Sequence, residues 1–120
     1  MKKILVVDDD VEILSVVDLV LTFNKFDVVT TPHWQDIDPF IKTFSPDLIL
    51  LDVSLGDADG RDICEKLKNA DETKNIPIIL FSANHNFIND AKGCKPDGTV
   101  TKPFDVPVLI ETIRNNIVET

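Results

Sequence analysis

The chain has 120 residues and a formal net charge of −9 at pH 7. This length predicts a single domain spanning residues 1–120. The acidity disfavours direct binding to nucleic acid, because phosphates need a basic surface, and it disfavours an anionic membrane surface. Since the sequence shows no secretory hydrophobic segment and no long apolar span, we expect a cytoplasmic protein.

Five short runs predict β-strands. They are Ile4–Val7, Asp27–Thr31, Leu48–Leu51, Ile78–Phe81 and the weaker Thr99–Thr101. The apolar runs are continuous rather than alternating, which is typical of strands covered on both faces in a parallel sheet.

Five segments between and after these strands predict helices. The first and the last helix are marked by an apolar face, which is formed by Ile13, Val16, Val17, Val20 and Leu21 in the first and by Val106, Leu109, Ile110, Ile113 and Ile117 in the last, with Asp105 as the cap of the last. The second helix is predicted from Pro39 to about Phe44, with Asp38 as its N-cap. The third covers Gly60–Asn69, and a short or irregular fourth covers residues 85–92. Alternating strands and helices predict a doubly wound α/β domain with a five-stranded parallel sheet. In such folds ligands bind at the carboxyl ends of the strands.

Polar residues follow four of the predicted strands. They are Asp8, Asp9 and Asp10 after the first, Asp52 after the third, Ser82 after the fourth and Lys102 after the fifth. Each alone has an ordinary interpretation as a helix cap or a turn residue. Their joint placement at one sheet edge predicts a functional site.

The chemistry of this set favours phosphoryl transfer. Converging carboxylates repel one another, and Mg²⁺ relieves the repulsion through oxygen ligands. An aspartate can attack phosphorus, and the reaction needs mainly positioning and neutralisation of charge. Lys102 and Ser82 would contact the phosphoryl oxygens beside the metal.

The motifs KKILVVDDD, LILLDVSLGDADG, ILFSA and VTKPF resemble the receiver domain of two-component response regulators, of the chemotaxis-regulator type. The resemblance covers essentially the whole chain. It implies a flavodoxin-like fold with strand order 2-1-3-4-5 and a signalling domain that is not an enzyme beyond its own phosphoryl uptake and loss.

The resemblance also implies roles for residues. Asp52 would accept the phosphoryl group, Asp9 would bind Mg²⁺ directly, and Asp8 would bind it mostly through water. The carbonyl of Ser54 would be a further ligand, and Mn²⁺ or Ca²⁺ would substitute for Mg²⁺. Ser82 would be the switch hydroxyl. Lys102, followed by Pro103 through a cis bond, would contact the phosphoryl group, while Asp10 is left as a helix cap.

The implied partners are proteins. The phosphodonor would be a sensor histidine kinase or a histidine phosphotransfer protein, and the output would be a downstream protein or an attached domain. The resemblance also allows homodimerisation through the face formed by residues 85–92, the fifth strand and the last helix.

Two departures from the family pattern affect this face and its neighbourhood. Thr99 stands where the family has an aromatic switch residue, and Leu55-Gly56 stands where the family often has Met-Pro. A threonine has no aromatic ring that could rotate in concert with Ser82.

Three rival interpretations remain open. Asp8 and Asp10 form a DxD pair, as in aspartyl-nucleophile phosphohydrolases, but Glu12 stands where Thr or Val is usual. A flavin-binding domain would need amides and hydroxyls rather than acids after the first strand. A receiver fold used only for docking is the third.

The remaining candidate ligands carry little signal. Cys64 and Cys94 form no CxxC pair, and we predict two reduced thiols in a cytosolic protein. His33 and His85 are predicted to be surface or loop residues rather than metal ligands.

Overall fold

The computed structural model describes residues 1–84, 86–87 and 90–117. Five parallel strands form one sheet. They are β1 (Lys3–Val7), β2 (Asp27–Thr31), β3 (Leu48–Asp52), β6 (Ile78–Ser82) and β7 (Gly98–Thr101). Their order across the sheet is β2-β1-β3-β6-β7. A two-stranded antiparallel hairpin, β4 (Ser54–Leu55) and β5 (Ala58–Asp59), follows β3. Counted over the main sheet alone, the order is 2-1-3-4-5, as the resemblance implied.

Four α-helices lie within the described residues. They are α1 (Val11–Phe23), α2 (Ile37–Phe44), α3 (Gly60–Asn69) and the C-terminal helix (Val106–Asn115). The helix predicted over residues 85–92 falls partly outside the described residues, and of its described members Asn86 and Phe87 are helical. None of the described helices is long and apolar enough to cross a membrane.

The helices cover both faces of the sheet and create two apolar clusters. Inward side chains of β1 and β3 pack with α1 and the C-terminal helix on one face, including Ile4, Leu50 and Ile113. The alternate side chains of the same strands pack with α2 and α3 on the other, including Leu5 and Leu67. This two-sided burial explains the continuous apolarity of the strands, and it makes the domain a flavodoxin-like α/β fold.

Side-chain caps start two of the helices at the predicted residues. Asp10 accepts hydrogen bonds from the amides of Glu12 and Ile13 at the start of α1, at 3.0 and 3.4 Å. Asp105 accepts one from the amide of Val108 at the start of the C-terminal helix. These caps satisfy amides that have no partner within the helix.

The predicted start of the second helix is wrong. A 3₁₀ turn, Trp34–Asp36, runs directly into α2, which begins at Ile37. Asp38 therefore lies in the first turn rather than at the N-cap. The early start places Ile37 inside the cluster under α2, where it is 3% exposed, and burial of this side chain stabilises the two added helical residues.

The predicted inward face of α1 is partly wrong as well. Val16 is 51% exposed, whereas Leu14, which the pattern omitted, is buried together with Val17 and Leu21. Successive helical residues are about 100° apart. The buried face of α1 is centred on Leu14, Val17 and Leu21, and at this spacing the Val16 side chain faces solvent.

Candidate functional site

The carboxyl ends of four strands meet at one edge of the sheet, as the sequence predicts. Asp52 closes β3 and is paired in register with Phe81 of β6. Ser82, the next residue of β6, is paired with Thr101 of β7. Asp8 follows β1 directly, and Lys102 follows β7 directly. The edge therefore carries carboxylates at the ends of β1 and β3, a hydroxyl at the end of β6 and an ammonium group after β7.

Asp8 is fully buried and has a partner on each carboxylate oxygen. Its Oδ1 accepts a hydrogen bond from the amide of Asp10 at 2.9 Å, and its Oδ2 accepts one from Lys102 Nζ at 2.6 Å. Lys102 Nζ also lies 3.5 Å from Asp52 Oδ1. The ammonium group thus lies beside both buried acids and offsets part of their charge.

The carboxylates of Asp8, Asp9 and Asp52 converge. One oxygen from each lies within 4.8 Å of the others. Asp8 and Asp52 are buried, whereas Asp9 is exposed. The cluster is therefore open to solvent on the Asp9 side, where a cation or a phosphodonor can enter.

The ionised form of Asp52 is destabilised in this cluster, and its pKa is raised. Burial, followed by the nearby Asp8 carboxylate, raises the pKa of Asp52 to about 7. Lys102 and the backbone amide of Ser54 act in the opposite direction. The local negative charge therefore exceeds what Lys102 alone neutralises, which is the condition under which a further cation binds favourably.

The donor set fits a hard divalent cation. Ligand oxygens of Mg²⁺ lie about 2.1 Å from the metal, so opposed oxygens are separated by about 4 Å. Three carboxylate oxygens within 4.8 Å of one another need only small adjustments to share such an ion. Binding through a few carboxylates with a solvent-facing side leaves room for water or a phosphate oxygen.

The remaining predicted residues lie around this cluster. Ser82 is 3% exposed, and its Oγ accepts a hydrogen bond from the amide of Asn84 at 3.0 Å. The Lys102–Pro103 peptide bond is cis, as the resemblance implied. Thr99 is exposed on the edge strand β7, paired with Leu80. The role of the Ser54 carbonyl as a metal ligand stays a prediction.

Gly60 is a residue of the site that sequence reasoning missed. It begins α3, and its amide donates to the carbonyl of Val53 at 2.7 Å. A Cβ at this position would overlap the carbonyl oxygen of Asp52. Only glycine lets the start of α3 pack this closely behind Asp52. Its place directly after the acids of DADG is a local signal that could have marked it.

Two polar contacts fix the loops next to Asp52. Trp34 Nε1 donates to Asp57 Oδ1 at 3.0 Å, which links the 3₁₀ turn to the hairpin. Asp59 accepts from the Arg61 amide and caps α3, while the Arg61 guanidinium donates to the same carboxylate. The Trp34–Asp57 contact has no sequence signal, because it depends on how the loops pack, whereas an aspartate directly before a helix is a usual N-cap signal.

The prediction of two reduced thiols is wrong for this structure. Cys64 of α3 and Cys94 form a disulfide, with their Cα atoms 5.4 Å apart. The two residues are 30 positions apart in the sequence. Folding brings them together because α3 packs on the stretch that connects β6 to β7.

The fold and the acidic edge define a receiver-type signalling domain. The sequence model of the response regulator receiver domain matches residues 4–114, and the chain belongs to this family. It is therefore a receiver domain of two-component signalling.

Known proteins agree with this assignment. The DNA-binding dual master transcriptional regulator RpaA of Synechocystis sp. is 30% identical over 116 residues, which are 95% of this chain and 48% of that protein. The chain thus spans about half the length of this curated relative.

Solved structures share the fold over nearly the full chain. The N-terminal signal receiver domain of a two-component response regulator from Bacteroides fragilis is 26% identical with a TM-score of 0.85, covering 100% of this chain and 99% of that one. The chemotaxis protein CheY4 of Vibrio cholerae is 22% identical with a TM-score of 0.87, covering 98% and 99%. At this lower identity the likeness shows the fold alone.

Proposed function

We propose that this domain is a phosphorylatable switch that accepts a phosphoryl group on Asp52 in a Mg²⁺-dependent reaction. The observation that carries the proposal is the convergence of the Asp8, Asp9 and Asp52 carboxylates, with Lys102 Nζ beside the two buried acids. If these carboxylates had no ligand to bind, their mutual repulsion and burial would only lower the free energy of unfolding.

The metal would be held by Asp8, Asp9, Asp52 and the backbone carbonyl of Ser54. Mg²⁺ is the expected ion, and Mn²⁺ or Ca²⁺ would substitute, because all three bind oxygen ligands. When bound, the ion supplies charge neutralisation for the phosphoryl oxygens.

The residues of the chain have separate roles in the transfer. A carboxylate oxygen of Asp52 attacks phosphorus, and the bond from phosphorus to the leaving group breaks. Lys102 neutralises a phosphoryl oxygen, and because its Nζ already lies 3.5 Å from Asp52 Oδ1 it needs little movement. Ser82 offers its hydroxyl to another oxygen, and its move towards the new charge shifts the domain between two states.

The proposed partners follow from this chemistry. The donor is the phosphohistidine of a sensor kinase or of a phosphotransfer protein, in the cytoplasm, and the phosphorylated form acts on a downstream protein or an attached output domain. Direct nucleic-acid and membrane contacts are disfavoured by the net charge of −9. Homodimerisation through residues 85–92, β7 and the C-terminal helix stays a prediction.

The test is intact mass after incubation with acetyl phosphate and Mg²⁺. The wild-type protein should gain one phosphoryl group, and the gain should disappear in Asp52→Asn and when Mg²⁺ is chelated. Asp71→Asn is the matched control, since the Asp71 side chain is 96% exposed and lies outside the acidic cluster, and it should retain the adduct. Absence of the adduct from the wild type, with Mg²⁺ bound, would overturn the proposal in favour of a docking module.

A further inference from the structure

The disulfide joins two segments that both begin beside the proposed phosphorylation site. Cys64 lies in the middle of α3 and is 0% exposed, while Cys94 lies in the connection from β6 to β7 and is 5% exposed. A Cα separation of 5.4 Å is ordinary for a disulfide, so the two backbones approach closely enough for the bond without displacement.

Hydrogen bonds and ion pairs also join the same two segments. Arg61 Nη1 donates to the carbonyl of Asp90 at 2.8 Å, and Arg61 Cζ lies 4.5 Å from the centroid of the Phe87 ring. Lys92 Nζ lies 3.1 Å from Asp59 Oδ2 and 3.5 Å from an oxygen of Asp62. The stretch Asp90–Cys94 is therefore held to α3 by polar contacts at one end and by the covalent bond at the other.

Both segments begin at residues of the phosphorylation site. α3 starts at Gly60, which packs directly behind the Asp52 carbonyl. The connection from β6 starts at Ser82, whose Oγ accepts from the Asn84 amide. A displacement passed from Ser82 to the stretch Asp90–Cys94 would move that stretch relative to α3, and the disulfide would oppose this movement.

We propose that Cys64 and Cys94 form a reversible redox tether, which restrains the stretch Asp90–Cys94 when oxidised and frees it to respond to phosphorylation when reduced. The inference rests on the proposed phosphorylation of Asp52. In a reducing compartment, disulfides that form are mostly transient and redox-sensing, which agrees with a switch rather than a permanent staple.

The redox step is a thiol–disulfide exchange with a low-molecular-weight disulfide such as oxidised glutathione. One cysteine thiolate attacks a glutathione sulfur, and the first glutathione leaves as a thiolate. The second cysteine thiolate then attacks the mixed disulfide and releases the second glutathione. Two cysteine thiols are oxidised, one glutathione disulfide is reduced to two thiols, and the two protons pass to the departing thiolates.

Thermodynamic linkage makes the coupling reciprocal. If the disulfide disfavours the phosphorylated conformation, phosphorylation must disfavour the disulfide by the same factor. Both cysteines are buried, so a reductant reaches the sulfurs only when Asp90–Cys94 opens from α3. The rate of reduction therefore reports on this opening.

The experiment compares oxidised and reduced wild-type protein, with and without acetyl phosphate and Mg²⁺. Redox state is measured by alkylation and intact mass, and hydrogen exchange is followed in peptides covering residues 90–97. We expect exchange there to be about fivefold faster or more in the reduced protein, the lower end of typical coupling, and to rise again on phosphorylation. The equilibrium constant for reduction of the disulfide by glutathione should also rise about fivefold once Asp52 is phosphorylated.

A Cys64→Ala/Cys94→Ala variant is the matched control and should exchange like the reduced protein under all redox conditions. The inference is overturned if oxidised glutathione leaves both thiols free, or if an adduct forms on Asp52 while the exchange rates and the equilibrium constant for reduction stay unchanged. Failure of the proposed function has a different signature, namely no phosphoryl adduct in either redox state, and it would remove this inference with it.

Discussion

Lys102 Nζ donates a hydrogen bond to Asp8 Oδ2 at 2.6 Å, across 94 residues of sequence. Asp8 is fully buried, and the lysine side chain is 14% exposed. The contact joins the ends of β1 and β7, which are not neighbours in the sheet. Because Asp52 lies 3.5 Å from the same ammonium group, the charge of Lys102 influences both folding and the proposed chemistry.

Replacing this lysine should make the protein depend on Mg²⁺ for stability. Without the ion, Lys102→Met should lower the free energy of unfolding by about 2–3 kcal/mol, less than the usual cost of an unpaired buried charge because Asp52 can take up a proton. Added Mg²⁺ should stabilise the variant more than the wild type, and phosphoryl uptake should slow. Urea unfolding with and without Mg²⁺ measures the first effect.

The control for this experiment is Lys95→Met, which removes an exposed lysine away from the acids. It should leave both stability and its Mg²⁺ dependence unchanged. Equal stabilisation of Lys102→Met and wild type by Mg²⁺ would contradict the view that lysine and metal neutralise the same carboxylates.

A methyl group at Gly60 should displace the backbone of Asp52, because it would overlap the Asp52 carbonyl oxygen. Gly60→Ala places a Cβ against the Asp52 carbonyl, and relieving the overlap should cost about 1–3 kcal/mol and displace Asp52, the proposed phosphoacceptor. We expect slower phosphoryl uptake, measured by intact mass over time.

Gly56→Ala is the informative comparison for this substitution. Gly56 has a φ of +72°, but a Cβ there meets nothing within 4 Å. Its replacement should cost about 1 kcal/mol of backbone strain and preserve phosphoryl uptake. If the two alanine variants took up phosphoryl equally fast, the close approach of α3 to Asp52 would have no functional consequence.

How far the sequence predicts this molecule differs between strands and loops. The strands are predictable because two-sided burial requires continuous apolar runs, and Asp52, Ser82 and Lys102 are predictable because each follows a run directly. The start of α2 is not, since burial of Ile37 in the core starts the helix two residues earlier than the sequence predicts. The Cys64–Cys94 pair is not predictable either, since its members lie 30 residues apart and only packing brings them together.

The charge of Asp59 should stabilise the protein in a pH-dependent way. Hydrogen bonds from Arg61, opposed by partial burial and helped by Lys92, hold the pKa of Asp59 well below its usual range. A carboxyl whose pKa is lower in the folded than in the unfolded state stabilises the fold above the unfolded pKa of about 3.9 and loses this contribution as the pH falls below it.

The substitution Asp59→Asn isolates this effect, because asparagine caps a helix as well as aspartate does. The variant should be less stable than the wild type near pH 7, and the difference should shrink as the pH falls below about 4. Urea unfolding across this range measures it. Asp71→Asn, whose parent side chain is 96% exposed, is the control and should show no such trend. A difference that does not vary with pH would assign the stabilisation to packing instead of charge.

The disulfide should stabilise the fold even when the protein is not phosphorylated. Linking residues 30 positions apart removes loop-closure entropy from the unfolded chain, by about 3–4 kcal/mol in the chain-entropy model. Reductant should therefore lower the free energy of unfolding of the wild type by this amount, as measured by urea unfolding, and should leave the Cys64→Ala/Cys94→Ala variant unchanged.

This contribution should add to the effect of Mg²⁺, because the cross-link acts on the unfolded chain whereas the ion binds the folded acidic cluster. The gain in stability on adding Mg²⁺ should thus be equal in oxidised and reduced protein. An unchanged unfolding curve in protein whose thiols are shown by alkylation to be free would contradict the entropic account. If the gain in stability on adding Mg²⁺ depended on the redox state, the disulfide would be energetically coupled to Mg²⁺ binding even in the unphosphorylated protein.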